Sequence, residues 1–163
     1  MFKLSSLFHG ALIGMALSTA PPVMAVQAFG DQYIPVAPVS AGQAQVVYYR
    51  SATVGAQNGA LHVYVDREFH AGLLPGGYTA FCVAPGSHTL GAYLNDAPDY
   101  KGKNTELYSA HLEGGMTYFL KAGEGANGVP QAVKRADAEK ELASMHKQIQ
   151  ALSRASSVRA CDY

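Results

Sequence analysis

The side chains that could carry out chemistry are few and do not form a recognisable group. Five histidines follow residue 25: His62, His70, His88, His111 and His146. None of them has the spacing to other ligand residues that a metal site requires. Asp96, Asp99 and Glu106 flank a polar segment and resemble calcium ligands, but Lys101 and Lys103 in the same segment oppose a bound cation. With no Ser-His-Asp or Cys-His pattern visible, we predict no catalytic residues, no metal site, no cofactor and no enzymatic activity.

Tyrosine is the other residue type that could contact a ligand. The chain has ten tyrosines and no tryptophan, and tyrosine suits both sheet faces and exposed binding surfaces. Tyr93 and Tyr100 lie beside segment 95–104, which also carries Asp96 and Asp99. These four residues are our candidates for ligand contact, for example with a glycan. The alternative is that the tyrosines pack in the core or on a sheet face.

The two cysteines, Cys82 and Cys161, allow only one pairing. In an oxidising compartment an even number of cysteines indicates a disulfide. The bridge would close a loop of about 80 residues and stabilise the fold by about 4–5 kcal/mol through chain entropy. The alternative is two free, buried thiols.

Residues 1–25 have the pattern of a secretory signal peptide. Lys3 provides the positive start, residues 4–17 are mostly apolar, and Pro21 and Pro22 end the apolar part. Small residues precede a cleavage point after Ala25, and a second such point follows Ala28. We therefore expect an exported protein, with an N-terminal membrane anchor as the alternative.

The charge balance and the length of the apolar runs argue against two further classes of protein, nucleic-acid-binding and membrane-spanning proteins. The 12 basic residues balance the 12 acidic residues, so the formal net charge is zero. A nucleic-acid-binding protein normally carries a basic field, so we predict no nucleic-acid partner. No apolar run reaches the roughly 18 uninterrupted residues of a membrane span, so we expect the mature chain not to span a membrane.

The middle of the chain has β-type patterning. Residues 26–43 predict an extended lead-in, and residues 44–135 predict a β-sandwich. Leu61, Val63 and Val65 alternate with polar or aromatic neighbours, which is typical of a half-buried strand. Segments 106–112 and 116–121 flank Gly114 and Gly115 and predict a hairpin. Short strands separated by turn residues indicate a mainly β fold, an antiparallel β-sandwich of about seven strands.

The pattern changes to helical spacing at about residue 136. The apolar residues are spaced by four, three, four and three positions: Ala138, Leu142, Met145, Ile149 and Leu152. This stripe predicts one C-terminal amphipathic helix. We expect residues 136–163, helix and tail, to pack on the sandwich. The alternative is that the stripe contacts another protein or a second copy of this chain.

Two motifs give the chain a family resemblance. The sequence GLLPGGY at residues 72–78 is followed by VAPGSHTL at residues 83–90, and the strand VYVDR at residues 63–67 precedes both. This arrangement resembles PEGA-like small periplasmic β-sandwich domains of uncharacterised function. Such domains occur in exported proteins of Gram-negative bacteria, in some cases upstream of an OmpA-like domain. The resemblance implies a location in the periplasm or at the outer-membrane periphery and offers no catalytic residues.

Two functional hypotheses follow from these observations. The first is a non-catalytic module of the cell envelope with a structural or protein-interaction role, whose partner is an unidentified envelope protein. The second is a carbohydrate- or glycan-binding module that uses the tyrosines near segment 95–104. A cluster of exposed tyrosines would favour the second hypothesis, and scattered, buried tyrosines would favour the first.

Overall fold

The computed structural model describes residues 27–52, 59–94, 96–97, 99–105, 108–123, 128–149 and 153–163. The strands are β1 (Phe29–Gln32), β2 (Ala44–Tyr49), β3 (Leu61–Val65), β4 (Glu68–Leu73), β5 (Gly77–Val83), β6 (Gly86–Leu94), β7 (Tyr108–Leu112), β8 (Thr117–Lys121), β9 (Gln131–Val133) and β10 (His146–Gln148). The helices are α1 (Lys101–Asn104) and α2 (Arg135–Leu142). The predicted signal peptide, residues 1–25, lies outside the described residues.

The strands form two sheets. Sheet A has six strands in the order β1-β10-β5-β2-β8-β9, and sheet B has four in the order β4-β3-β6-β7. The prediction of a mainly β chain is confirmed. The described part of the chain nevertheless contains ten strands, more than the seven expected, because short strands in the lead-in and near the C-terminus join sheet A.

The first hydrophobic core lies between the two sheets. Leu61, Val63 and Val65 of β3 point into it, as their alternation predicts. Val46 of β2 and Phe81 of β5 pack against them from sheet A. Burying this shared apolar surface holds the two sheets together.

A second core covers the opposite face of sheet A. Val47 and Tyr49 of β2 pack there with Ala138 and Leu142 of α2 and with Tyr33 of the lead-in. Strand β2 is therefore buried on both faces over its whole length. This explains why its sequence, AQVVYY, lacks the polar alternation of a half-buried strand.

The prediction of a purely antiparallel sandwich is wrong, because sheet A is mixed. Strand β2 pairs in parallel with β8, with Val47 opposite Phe119, and β10 pairs in parallel with β5. The hairpin predicted around Gly114 and Gly115 does not form, since β7 pairs with β6 in sheet B and β8 belongs to sheet A. The two glycines instead carry the chain from one sheet to the other. A Cβ atom at Gly114 would lie 1.9 Å from the carbonyl oxygen of Ala41, so this crossing requires glycine.

The C-terminal helix is much shorter than its apolar stripe predicts. Helix α2 ends at Leu142, and the chain then forms β10. Met145 is buried, Ile149 is half exposed, and Leu152 lies outside the described residues. The chain after α2 forms a strand because it pairs with the edge of β5. The amide of His146 donates to the carbonyl of Gly76 at 3.0 Å, and β10 continues this pairing along β5. Pairing satisfies backbone groups that an edge strand would leave open.

The lead-in is part of the folded structure. Strand β1 pairs with β10, and the amide of Tyr33 donates to the carbonyl of Met145 at 2.8 Å. The side chains of Tyr33 and Val39 are buried. Residues 29–39 therefore cover sheet A together with α2 instead of extending into solvent.

Candidate functional site

The candidate ligand residues Tyr93 and Asp96 lie in the interior, with their polar groups in use. The Tyr93 side chain is 6% exposed, and its hydroxyl lies 3.0 Å from the hydroxyl of Thr105. The Asp96 carboxylate accepts hydrogen bonds from the amide of Lys101 at 2.7 Å and of Gly102 at 3.2 Å. These bonds fix α1 against the outer face of sheet B. The polar groups of Tyr93 and Asp96 therefore hold α1 and the residue after it on sheet B.

The other two candidates, Asp99 and Tyr100, are exposed. Tyr100 is 45% exposed, and the ammonium group of Lys103 lies 5.2 Å from the centre of its ring. The backbone carbonyl of Asp99 accepts from the side-chain amide of Asn104 at 3.4 Å. Only half of the predicted four-residue contact is thus accessible, and ligand contact by Asp99 and Tyr100 stays a prediction.

Most tyrosines are buried. The buried set comprises Tyr33, Tyr48, Tyr49, Tyr64, Tyr78 and Tyr93. Tyr64 shows the structural use clearly: burial raises the pKa of its hydroxyl, and a hydrogen bond to Asp96 raises it further. Gly102 lies directly on the Tyr64 ring, where a Cβ atom would come within 2.0 Å of a ring carbon. The tyrosines therefore serve mainly to pack the sheets and α1.

The predicted disulfide between Cys82 and Cys161 is present. It joins the C-terminal end of β5 to the C-terminal tail, with the two Cα atoms 5.1 Å apart, inside the usual range for a disulfide. Beside it, the backbones of Cys82 and Arg159 exchange two hydrogen bonds, at 2.8 and 3.0 Å. The side-chain amide of Gln45 also donates to the hydroxyl of Tyr163 at 3.0 Å. Residues 159–163 are thereby fixed to sheet A.

A buried histidine joins the same tail to both sheets. His70 is the extra residue of a β-bulge in β4, because Tyr64 lies opposite Phe69 whereas Val63 lies opposite Ala71. A bulge re-aims the side chain that it carries. The two ring nitrogens of His70 lie 3.0 Å from the hydroxyl of Ser153 and 3.1 Å from that of Thr79.

The environment of His70 is unusual for an imidazole. The centre of the His70 ring lies 4.4 Å from that of Phe81, with the ring planes inclined by 57°, and burial lowers the pKa of His70 to about 4. A neutral imidazole can donate one hydrogen bond and accept another, and the two hydroxyl partners can adopt either role. His70 is therefore a structural, neutral histidine. Its role could not be predicted from the sequence, because the bulge depends on the register of β3 and β4.

Asp66 organises the turn between β3 and β4. Its carboxylate oxygens lie 2.8 Å from Nδ1 of His88 and 2.9 Å from the amide nitrogen of Thr89, which donates to it. Burial acts to raise the pKa of Asp66, but the hydrogen bonds from His88 and Thr89 outweigh it and hold the pKa below its usual value. Nε2 of His88 also lies 2.8 Å from the carbonyl oxygen of Ala84. The contacts of Asp66 with His88 and Thr89 tie the β3–β4 turn to β6.

A cleft of about 570 Å³ lies where the lead-in crosses sheet A. Its walls come from the lead-in, β5, β10 and the C-terminus: Asp31, Gln32, Ile34, Pro35, Val36, Ala37, Tyr78, Ala80, Lys147 and Tyr163. Ile34 is 76% exposed beside it. The cleft therefore offers an open, largely apolar surface next to the tail that the disulfide fixes.

Comparison with protein-family models, with curated proteins and with solved structures finds no significant match. Within the residues described above, no three histidine, cysteine, aspartate or glutamate side chains are grouped so that they could hold a metal ion. No helix in that part of the chain is long and apolar enough to cross a membrane.

Proposed function

We propose that this chain is an exported, non-catalytic module of the cell envelope with a structural or protein-interaction role. The observation that carries the proposal is the Cys82–Cys161 disulfide, which fixes the C-terminal tail to β5. Disulfides of this kind persist in oxidising compartments and are rare in the cytosol. The signal-peptide pattern of residues 1–25 and the resemblance to PEGA-like periplasmic domains point to the same location.

The use of the reactive side chains supports a non-catalytic role. Cys82 is in the disulfide, His70 bonds two hydroxyl groups in the core, and Asp96 holds α1. Asp66 and His88 bond to each other and to backbone groups of β6 and the β5–β6 turn. Each of these groups already has partners that stabilise the fold.

Cell fractionation tests the export part of the proposal. The full chain and a chain lacking residues 2–25 are produced in a Gram-negative host, and both are located by immunoblotting of the cytosolic and envelope fractions. We expect the full chain in the envelope fraction and the shortened chain in the cytosol. Equal amounts of both chains in the cytosol would contradict export.

Photo-crosslinking in the producing cell tests the interaction role. A photoreactive residue replaces Ile34 beside the cleft, and the matched control places it at Asp137, which is exposed on α2. We expect a discrete adduct with an envelope protein from position 34 and none from position 137. An identical adduct pattern at the two positions, or none at either, would contradict a specific interaction through the cleft.

A further inference from the structure

Three cationic side chains meet in a second hollow, which lies at the β4 edge of sheet B and measures about 330 Å³. Arg67 comes from the β3–β4 turn, Lys103 from α1 and Arg154 from the C-terminal tail. Phe69 provides an apolar wall, and Glu68 completes the lining. Three segments far apart in sequence thus direct positive charge to one place.

The single carboxylate of the hollow is already engaged. Glu68 accepts hydrogen bonds from the amide and the hydroxyl of Ser156, at 2.5 and 2.7 Å. These bonds lower the pKa of Glu68, and they hold its carboxylate against Ser156 of the tail. The ion pairs found among the described residues do not include Arg67, Lys103 or Arg154. The lining therefore carries three positive charges against one negative charge, in a chain with no net charge.

The backbone at Arg154 is held in place before any ligand arrives. Its amide donates to the carbonyl of Phe69 at 2.8 Å, and the hydroxyl of the preceding Ser153 lies 3.0 Å from Nδ1 of His70. The Cys82–Cys161 disulfide holds the rest of the tail. A binding group on such a fixed segment loses less conformational entropy when a ligand binds.

The backbone of the turn adds an independent observation. Asp66 and Arg67 have φ values of 49° and 66°, so both occupy the left-handed region of a two-residue turn between Val65 and Glu68. Such turns favour Asn and Gly, and glycine is the best residue at the second position. Asp66 is explained by its bonds to His88 and Thr89. The geometry of the turn does not explain why residue 67 is an arginine. Residues in unfavourable backbone conformations tend to be retained at functional sites.

We propose that this hollow binds a phosphate monoester. A monoester carries a charge of about −1.5 to −2 at neutral pH, which matches the excess of two positive charges in the lining. Guanidinium groups bind phosphate oxygens through two parallel hydrogen bonds, and two of the three cations are arginines. The volume of about 330 Å³ lies at the lower end of the range of ligand pockets. The hollow has room for the organic part of the ester, which would lie against Phe69. This inference does not depend on the proposed envelope role.

Isothermal titration of the oxidised protein with glucose 6-phosphate, inorganic phosphate and glucose tests the proposal. We expect binding of glucose 6-phosphate, weaker binding of inorganic phosphate and no binding of glucose. Arg67→Gly removes the guanidinium and suits the left-handed backbone, so its melting temperature should be equal to or above that of the parent protein. Arg67→Gly and Arg154→Ala should each weaken binding at least about tenfold, which is the effect of losing a single charge-assisted hydrogen bond.

The matched control is Lys140→Ala, which removes an exposed cation from α2, far in the fold from sheet B. It should leave the affinity unchanged. Three outcomes overturn the proposal: no binding of glucose 6-phosphate at millimolar concentration, unchanged affinity in Arg67→Gly, or an equal loss of affinity in Lys140→Ala. Equal affinities for inorganic phosphate and glucose 6-phosphate would overturn the ester assignment and assign the hollow to free phosphate.

Discussion

Opening the Cys82–Cys161 bridge should reduce the free energy of unfolding by about 4.5 kcal/mol. The two cysteines are 79 residues apart, and the chain-entropy relation gives this value at 25 °C for a loop of that length. The perturbation is Cys161→Ala, because Cys161 is partly exposed whereas Cys82 is fully buried and its replacement would disturb the core. Most of the loss arises in the unfolded chain, which gains conformational freedom when the link is absent.

The folded tail should stay in place in the variant. The backbone bonds between Cys82 and Arg159 and the bond from the Arg154 amide to Phe69 do not require the bridge. Urea unfolding followed by far-ultraviolet circular dichroism measures the change. The slope against urea should rise, because an unlinked unfolded chain exposes more surface. Parent protein reduced with a thiol is the control and should match Cys161→Ala measured under the same reducing conditions.

A difference of less than about 1 kcal/mol between the oxidised and the reduced protein would contradict stabilisation through chain entropy. A Cys161→Ala variant much less stable than the reduced parent would also contradict it, because the loss would then come from native contacts of the sulfur atom.

Three further perturbations test the packing and electrostatics. Tyr48→Phe should raise the free energy of unfolding by about 1–2 kcal/mol in thermal or urea unfolding, because the Tyr48 hydroxyl is fully buried and has no hydrogen-bond partner in the described structure; a loss of stability would contradict this. Leu142→Ala should cost about 2–5 kcal/mol with a melting temperature independent of protein concentration, whereas an unchanged melting temperature and a lost oligomer would favour a partner contact. Lowering the pH from 7 to 4 should reduce the free energy of unfolding by about 3 kcal/mol through His70. The pKa of His70 is about 4 in the folded chain and 6.5 in the unfolded chain, so the unfolded chain takes up the proton first as the pH falls. His70→Gln should flatten this part of the stability profile measured by urea unfolding, and an unaltered profile would assign the dependence to another group.

Local sequence signals predicted the elements whose structure is decided locally. The alternation of Leu61, Val63 and Val65 predicted the core face of β3, and the pairing of Cys82 with Cys161 followed from their number. The alternation of inward and outward residues along a strand does not depend on which strands become neighbours. Neither does the number of cysteines. These predictions therefore needed no knowledge of the topology.

The elements that the sequence did not predict depend on distant partners. Residues 143–149 continue a helical apolar spacing, yet the free edge of β5 pairs with His146 and Lys147 and converts this segment to β10. The hairpin predicted around Gly114 and Gly115 fails for the same reason. Strand β8 pairs in parallel with β2, which is distant in sequence, and such pairing leaves no pattern in the residues near the turn. Propensity and periodicity are weak compared with such tertiary pairing.

The candidate sites show the same division. The sequence singled out segment 95–104 for its polar and aromatic residues but did not predict α1 within it, because the hydrogen bonds of Asp96 to α1 form beside Tyr64 of β3, which is distant in sequence. The cationic hollow combines residues 67, 103 and 154, whose proximity follows from the docking of the tail on β4. The one local signal was an Asp-Arg pair in a turn that favours Asn-Gly, and it becomes visible only when the register of β3 and β4 is known.

The intact mass of the protein isolated from the envelope fraction, alkylated without reduction, tests the central claim most directly. Export with signal removal and oxidation predicts a chain that begins at Val26 or Phe29 and carries no alkyl group on Cys82 or Cys161. A chain that retains residues 1–25 and carries two alkyl groups would contradict both export and the disulfide.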